Sequence, residues 1–277
     1  QLNKDERIGR VMLRQYGDCP LTMERNRVVR DAIAGGFDLI LMLDSDNQPD
    51  LDLGKDARAR PFWESSFEFL YPRLCRDIPT VVFAPYCGPP PIENVFVFHW
   101  EDHETDTVRP TFKLEAYSRT HADQMAGIQP CAAGPTGVIL YTTLAFDLMR
   151  FDKRPVSEIL ADYKAGHIDA EQCQRQIQMQ SYFWYEFTDQ WQTTKASTED
   201  VTNTREIGMA GQLKYGEDVL FCNWDAWAGH FKQKCVGRPR LVRVEDVNAV
   251  YREAVAMNLK TGEQIVDVDF ASAAPQG

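Results

Sequence analysis

Five apolar residues in succession, Leu39 to Leu43, are followed by two carboxylates, Asp44 and Asp46, with one residue between them. An apolar run of that length without polar alternation predicts a strand buried on both faces inside an α/β sheet. Ligands bind at the carboxyl ends of strands in such sheets, and two carboxylates there without a basic neighbour indicate a divalent cation. Because Asp, Ser, Asn and Pro also form turns, a polar turn that merely ends a strand stays open as the other interpretation.

A helix is predicted immediately before this strand. Residues Leu21 to Ala34 have helical spacing, Thr22 is a candidate N-cap, and Gly35–Gly36 closes the helix. Further upstream, Gly9 to Leu13 is a candidate strand. Strand, helix, strand and acidic turn together make half of a nucleotide-binding α/β unit.

Composition narrows the class of protein. A chain of 277 residues with 44% apolar residues can bury one large core or two small ones. Its formal net charge of −11 disfavours non-specific binding of nucleic acid or anionic membranes, although nucleic acid as an acceptor stays open. Seven scattered cysteines without a C-x-x-C pair, and the lack of a signal or transmembrane segment, predict a cytoplasmic location.

The segment MERNRVVRDAIAGGFDLILMLDSD resembles the part of GT-A glycosyltransferases in which an Arg-Asn pair opens a helix and the next strand ends in D-x-D. Arg25, Asn26, Asp44 and Asp46 occupy the matching positions. The resemblance implies that Asp46 binds Mn²⁺ or Mg²⁺ on the donor diphosphate, and that Asp44 lies near the sugar and the cation, with Ser45 beside the donor. The family's first strand and the turn after it, which hold the nucleoside, are expected before this segment and are not recognised there. Either the given chain is trimmed at its N-terminus or the base is held differently, so no base-binding residues are predicted.

A second segment, AAGPTGVILYTTLAFDLM, resembles the family's Gly-Thr-Gly turn against the donor sugar. Gly134, Thr136 and Gly137 match, and glycine lets a backbone approach a ligand closely. A tight turn before a strand at Val138 to Tyr141 explains the same residues equally well. The aromatic stretch from Ser181 to Gln192 likewise predicts either the floor of a sugar site or part of the core.

Two Glu-Asp pairs are candidates for the catalytic base, which inverting members of the family carry at the start of a helix. The pair Glu217–Asp218 precedes Val219 to Cys222, which is predicted to be a strand. The pair Glu199–Asp200 follows a Ser-Thr pair that can cap a helix ending at Gly211. We therefore predict Asp200 as the base, with Glu199 beside it.

After that helix the family has a strand and then Gly-His, where the histidine binds the metal. VLFCNWDAWAGH ends at His230 and supplies the order that the resemblance requires. Lys232 follows closely and is predicted to contact phosphate. A lone histidine is also commonly a partly buried side chain without such a role.

The resemblance implies one GT-A domain over residues 1–277, a Rossmann-like α/β fold with a mixed, mostly parallel sheet flanked by helices. Residues 1–140 would bind the nucleotide sugar. Residues 141–240 would hold the acceptor and the base, with a helical hairpin at 155–180, and residues 241–277 would form an extension.

The expected activity is transfer of a sugar from a nucleotide diphosphate sugar, preferentially a UDP-sugar, to an acceptor hydroxyl with inversion. Two alternatives stay open. A haloacid-dehalogenase-like phosphohydrolase also places D-x-D after a buried strand, but Asn47 and Gln48 stand where its signature is expected. A non-catalytic sugar-binding module would need the aromatic residues and glycines without an acid, metal and base.

Overall fold

A mixed five-stranded sheet with helices on both faces is the centre of the protein. The computed structural model describes residues 5–15, 21–88, 94–101, 113–150, 154–178, 180–187 and 195–231. In chain order the strands are β1 (Leu39–Leu43), β2 (Asn47–Gln48), β3 (Val81–Phe83), β4 (Phe98–Trp100), β5 (Leu114–Ala116), β6 (Ile128–Pro130), β7 (Val138–Thr142), β8 (Glu186–Phe187), β9 (Lys195–Ser197), β10 (Leu220–Asn223) and β11 (Gly229–His230). The helices are α1 (Leu21–Ala34), α2 (Phe62–Leu74), α3 (Arg119–Gln124), α4 (Leu144–Arg150), α5 (Val156–Lys164), α6 (Ala170–Gln178) and α7 (Glu199–Tyr215).

The central sheet has the strand order β1, β7, β3, β10, β6, and strands from both predicted halves of the chain contribute to it. Strand β7 is antiparallel to both of its neighbours, with Leu140 paired to Leu41 on one side and to Val82 on the other. Strands β3 and β10 are parallel, and β6 is antiparallel to β10. The smaller ribbons β2–β11, β4–β5 and β8–β9 lie outside this sheet.

The mostly parallel sheet expected from the sequence is therefore not confirmed. Among the strands that the structure describes, β3 and β10 are the one parallel pair of neighbours. Strands β1, β3 and β10 do share one direction, but β7 runs the opposite way between β1 and β3. A continuous apolar run predicts that a strand is buried, and it carries no information about the direction of the strand's neighbours.

Two hydrophobic cores cover the two faces of the sheet because side chains alternate along each strand. On one face, Val29 of α1, Phe146 of α4 and Ile207 of α7 pack against one set of strand residues. On the other face, Phe62 and Leu70 of α2 pack against the alternate set. Most strands thus lie between two apolar layers, as the apolar runs predict.

Several predicted elements are confirmed by the structure. Helix α1 has the predicted bounds, and the strand predicted at Leu39 to Leu43 is β1. The predicted helical hairpin at 155–180 is α5 and α6, separated at Gly166, whose φ is +75°. The predicted burial of β1 holds only in part, because Leu43 is 52% exposed.

Two local predictions are wrong. Gly9 to Leu13 forms no strand. Helix α7 continues through Gly211 and ends at Tyr215, with Gly216 in the left-handed conformation at its C-cap. A Cβ on Gly211 would lie 2.5 Å from Val219 Cγ2, so this glycine serves close packing. Sequence alone does not separate a glycine needed for packing from one that ends a helix.

Within the described ranges, no helix has both the length and the hydropathy that crossing a membrane requires. The cysteines in those ranges carry free thiols: Cys75, Cys87, Cys131, Cys173 and Cys222. The predicted extension at residues 241–277 lies outside the described part of the chain.

Candidate functional site

Arg25 lies at the centre of a cluster of three carboxylates from two distant parts of the chain. It projects from α1 and is 4% exposed. Its Nη2 donates to Asp44 Oδ2 at 2.8 Å, and its Nη1 donates to Glu199 Oε1 at 3.1 Å and to Asp200 Oδ1. Asp44 at the end of the strand and the Glu-Asp pair are at least 155 residues apart in the sequence. The buried guanidinium of Arg25 holds them together in one site.

The fold explains why these side chains meet. Asp44 follows the last residue of β1, and its N–H donates to Gly137 O at 2.8 Å, which continues the pairing of β1 with β7. Glu199 and Asp200 occupy the first turn of α7, after the N-cap Thr198. Carboxylates are stabilised there by the helix dipole and the unpaired N–H groups.

Asp200 is the ionised member of the pair. Thr136 Oγ1 donates to Asp200 Oδ1 at 2.7 Å. Burial alone would raise the pKa of Asp200, but the charge of Arg25 and the hydrogen bond from Thr136 outweigh it and lower that pKa. The side chain keeps 20% of its surface exposed. Asp200 is thus an ionised carboxylate with access to a cleft.

Glu199 has the opposite tendency. Burial and the neighbouring charge of Asp200 raise the pKa of Glu199 to about 7, although Arg25 opposes them. Tyr185 is a further hydrogen-bond partner of this carboxyl. Two carboxyl groups this close do not readily ionise together, so the pair holds one proton below about pH 7, and that proton resides on Glu199.

This arrangement predicts a pH-dependent stability. Between pH 4.5, the ordinary value for Glu, and about 7 the folded protein keeps a proton that the unfolded chain releases. The free energy of unfolding therefore falls as the pH rises through that window, by about 1–3 kcal/mol. Glu199→Gln removes this loss. Urea unfolding gives the free energy of unfolding of the variant minus that of the wild type at each pH. This difference should be about 1–3 kcal/mol more positive at pH 8 than at pH 4.5.

The exposed Glu217→Gln is the matched control for the loss of one carboxylate. If Glu199→Gln changes the unfolding free energy by the same amount at both pH values, the assignment of the shared proton to Glu199 is wrong.

Asp46 and His230 form the second part of the site. Asp46 Oδ2 lies 3.3 Å from His230 Nε2. The short ribbon of β2 and β11 brings them together, since His230 pairs with Asn47 and Phe231 N donates to Asp46 O at 2.7 Å. A Cβ on Gly229 would lie 2.6 Å from Leu51 Cδ2, so glycine permits this close approach of β11.

The donor set of Asp46 and His230 fits a small divalent cation. A carboxylate oxygen and an imidazole nitrogen at right angles on a cation with bonds of about 2.1 Å lie about 3 Å apart. His230 Nδ1 lies 3.4 Å from Cys87 O, a long contact of the kind that orients a ligating imidazole through its other nitrogen. Within the described residues no group of three or more His, Cys, Asp or Glu side chains is arranged to hold a metal.

Asp44 was predicted as a third metal ligand. In the structure its carboxylate forms an ion pair with Arg25. Two protein ligands are still sufficient when substrate phosphates and water complete the coordination, as is usual for Mg²⁺. Asp46 and His230 are therefore the residues that would hold Mn²⁺ or Mg²⁺, with Asp44 beside them.

The predicted Gly-Thr-Gly turn lies inside the protein. A Cβ on Gly134 would lie 2.0 Å from the Phe83 ring, and one on Gly137 would lie 2.5 Å from Asn47 Nδ2. These glycines therefore serve internal packing, while Thr136 positions Asp200.

Asn26 was predicted to bind the donor, and its side chain is engaged within the protein. Its Nδ2 donates to Thr22 O and Phe183 O, and its Oδ1 accepts from the N–H groups of Tyr182 and Phe183. This amide fixes the aromatic stretch so that the Phe183 ring lies 5.6 Å from the guanidinium carbon of Arg25. The buried Phe183 belongs to the core, which favours the core interpretation for this part of the stretch.

A cleft of about 1330 Å³ runs along α1 and the outer edge of β1 and ends at Asp44, Ser45 and Asp46. Arg25 and Glu24 also line it. The exposed Ser45 lines the end of this cleft, and its contact with a donor stays a prediction. Lys232, the predicted phosphate contact, lies outside the described residues.

Sequence reasoning missed Tyr86 and Glu24. Tyr86 is 6% exposed, and its ring centroid lies 4.4 Å from that of His230. Glu24 is 8% exposed, and its Oε2 is buried without a hydrogen-bond partner in the described structure. The one available signal was position, since Glu24 precedes Arg25 and Tyr86 follows the buried strand β3.

Comparisons with known proteins leave the family open. No protein-family model and no curated protein matches the chain. Among solved structures, the chain is similar to the crystal structure of A197 from STIV, with a TM-score of 0.35 and 12% identity over 81% of this chain and 80% of that one.

Proposed function

We propose that this chain is a metal-dependent glycosyltransferase that moves a sugar from a nucleotide diphosphate sugar, with UDP-sugars as the first candidates, to an acceptor hydroxyl with inversion. The observation that carries the proposal is the bridge from Arg25 to Asp44 and to Asp200, with Asp46 and His230 close together at the same strand end. An ionised base, a cation site and a cleft for the donor then lie next to one another.

The donor would lie in the cleft along α1, with its diphosphate at the end formed by Asp44, Ser45 and Asp46. This end carries carboxylates, so a diphosphate needs a cation there to offset the repulsion. Asp46 and His230 would hold Mn²⁺ or Mg²⁺, and that ion would supply positive charge for the leaving diphosphate.

Asp200 would act as the base. A sugar hydroxyl is a poor nucleophile at neutral pH, and a positioned carboxylate removes its proton as the new bond forms. The acceptor oxygen bonds to the anomeric carbon, the bond from that carbon to the diphosphate oxygen breaks, and its electron pair leaves with the diphosphate. Arg25 and Thr136 hold Asp200 in a fixed orientation, which contributes to catalysis through positioning.

The first test of this proposal is the loss of metal-dependent donor binding in Asp46→Ala. At a UDP concentration of about 100 times the dissociation constant, binding should stabilise the wild type by about 2.7 kcal/mol, which thermal unfolding detects. We expect the Mn²⁺-dependent part of this stabilisation to disappear in Asp46→Ala, because one of the two protein ligands is gone, while circular dichroism shows an intact fold.

Asp123→Ala, at a carboxylate whose side chain is 83% exposed, is the matched control and should keep the metal-dependent shift. A variant Asp46→Ala that binds UDP with unchanged metal dependence would show that the cation site is elsewhere. Binding of a sugar, without any nucleotide or metal requirement in the wild type, would instead favour a sugar-binding module.

A further inference from the structure

Asp200 lines a second cleft, distinct from the one along α1. This cleft has a volume of about 690 Å³ and lies between the β4–β5 ribbon, the β8–β9 ribbon and the start of α7. Asp200 and His230 both line it, so it borders the proposed base and the proposed cation site. The other residues that line the cleft determine which kind of molecule it can bind.

Apolar side chains dominate these walls. Phe96, Phe98, Leu114 and Pro135 all line the cleft. Flat aromatic and aliphatic walls of this kind bind the C–H face of a ring or an alkyl chain by area burial and stacking.

Tyr86 adds one polar group at the end of the cleft near Asp200. Its ring packs against His230, and it contacts Phe96 edge-on with ring centroids 5.8 Å apart. No group in the described residues forms a hydrogen bond with its hydroxyl. A phenol hydroxyl can donate one hydrogen bond and accept others, so that of Tyr86 can bind a polar group of a molecule in the cleft.

The charges in this cleft disfavour an anionic occupant. Arg205 is the one Arg or Lys among the described lining residues, and it is paired with Glu186 at 2.9 Å. Asp200 adds a further negative charge. Arg25 supplies one positive charge against the two carboxylates of Asp44 and Asp200, so the site stays negative. A phosphorylated or carboxylated compound would therefore be repelled, because the described lining residues include no Arg or Lys without a carboxylate partner.

We infer that this cleft is the acceptor subsite and that the acceptor is an uncharged glycoside with an apolar aglycone, held by Phe98 and by a hydrogen bond from Tyr86. The inference rests on the proposed function for its link to transfer. The cleft places the ring of such a molecule against the apolar wall and one hydroxyl beside Asp200 and Tyr86.

The test compares phenyl β-D-glucopyranoside with phenyl β-D-glucuronide, which differs by one carboxylate, by calorimetry on the intact protein without a donor. We expect the uncharged compound to bind at least tenfold more tightly than the anion. Tyr86→Phe should weaken its binding about 2–12-fold through the lost hydrogen bond, and Phe98→Ala about tenfold or more. Leu213→Ala, at an exposed position of α7, is the control and should leave binding unchanged.

Separate transfer assays with UDP-sugars keep the two proposals apart. If sugar is transferred to the glucoside but the acceptor KM is unchanged in Tyr86→Phe and Phe98→Ala, the assignment of the cleft is overturned and the proposed function stands. If the glucoside binds and both variants weaken its binding, but neither UDP-sugars nor other nucleotide diphosphate sugars are consumed, the cleft is supported and the glycosyltransferase proposal is wrong. Equal binding of both compounds, or no binding of the glucoside, overturns the inferred acceptor class.

Discussion

Asp200→Asn is expected to lower turnover by about 10²–10⁴-fold and to leave donor binding intact. The amide keeps the shape of the side chain and can still accept the hydrogen bonds that Arg25 and Thr136 donate. It cannot take a proton from the acceptor hydroxyl. The measurement is steady-state release of UDP, with donor affinity followed by calorimetry, so that the loss in kcat is separated from a loss in binding.

Asp218→Asn is the matched control. Asp218 is exposed, and it accepts a hydrogen bond from Gln212 Nε2 at 2.6 Å, away from the cluster around Arg25. This variant should keep most of the activity. The opposite ranking of the two variants would overturn the assignment of the base. A product that retains the anomeric configuration of the donor, seen by NMR, would exclude direct displacement even with the expected ranking.

Arg25→Met is expected to lower the free energy of unfolding by about 3–5 kcal/mol. The guanidinium is buried and offsets the charges of Asp44 and Asp200, and Met fills much of its volume without supplying charge. Loss of the cation leaves buried carboxylates without a partner, which is costly even where the original ion pairs added little net stability. Urea unfolding of the wild type and the variant measures the difference.

The deficit of Arg25→Met should shrink when the carboxylates are neutral. Adding Asp200→Asn to this variant should therefore restore part of the lost stability, and the double-mutant cycle gives the coupling between the two residues. Arg30→Met, at a surface position whose side chain is 69% exposed, is the control and should change stability by about 0.5 kcal/mol or less. If Arg25→Met changed the free energy of unfolding by a similarly small amount, the guanidinium of Arg25 would not be what holds the cluster of carboxylates together.

The sequence predicted most strongly those elements whose residues reveal burial directly. The apolar run of β1, the helical spacing of α1 and the Gly-broken hairpin are local patterns, and the structure has each of them in place. The direction of β7 between β1 and β3 depends on contacts between distant segments, which local patterns do not encode.

Within the candidate site, the sequence identified charged residues that the fold brings together, namely Arg25, Asp44 and Asp200. It did not distinguish the roles of Asn26 and Gly134, because an amide that fixes a loop and a glycine packed on a ring look like ligand contacts in a motif. Tyr86 was missed because a lone tyrosine shortly after a buried strand has no pattern to mark it. The catalytic, metal and donor roles themselves stay predictions.

The ion pair between Arg25 and Asp200 also affects the order in which the chain folds while it is synthesised. The two residues are 175 positions apart, so at about 5–20 residues per second the ribosome makes Asp200 about 9–35 s after Arg25. Until then α1 carries a guanidinium with no counterpart from α7 to pair with, and enclosing it in the core at that stage would be costly. We therefore expect α1 to dock late, and nascent chains that stop before α7 to be more readily cleaved by proteases near Arg25 than the finished chain.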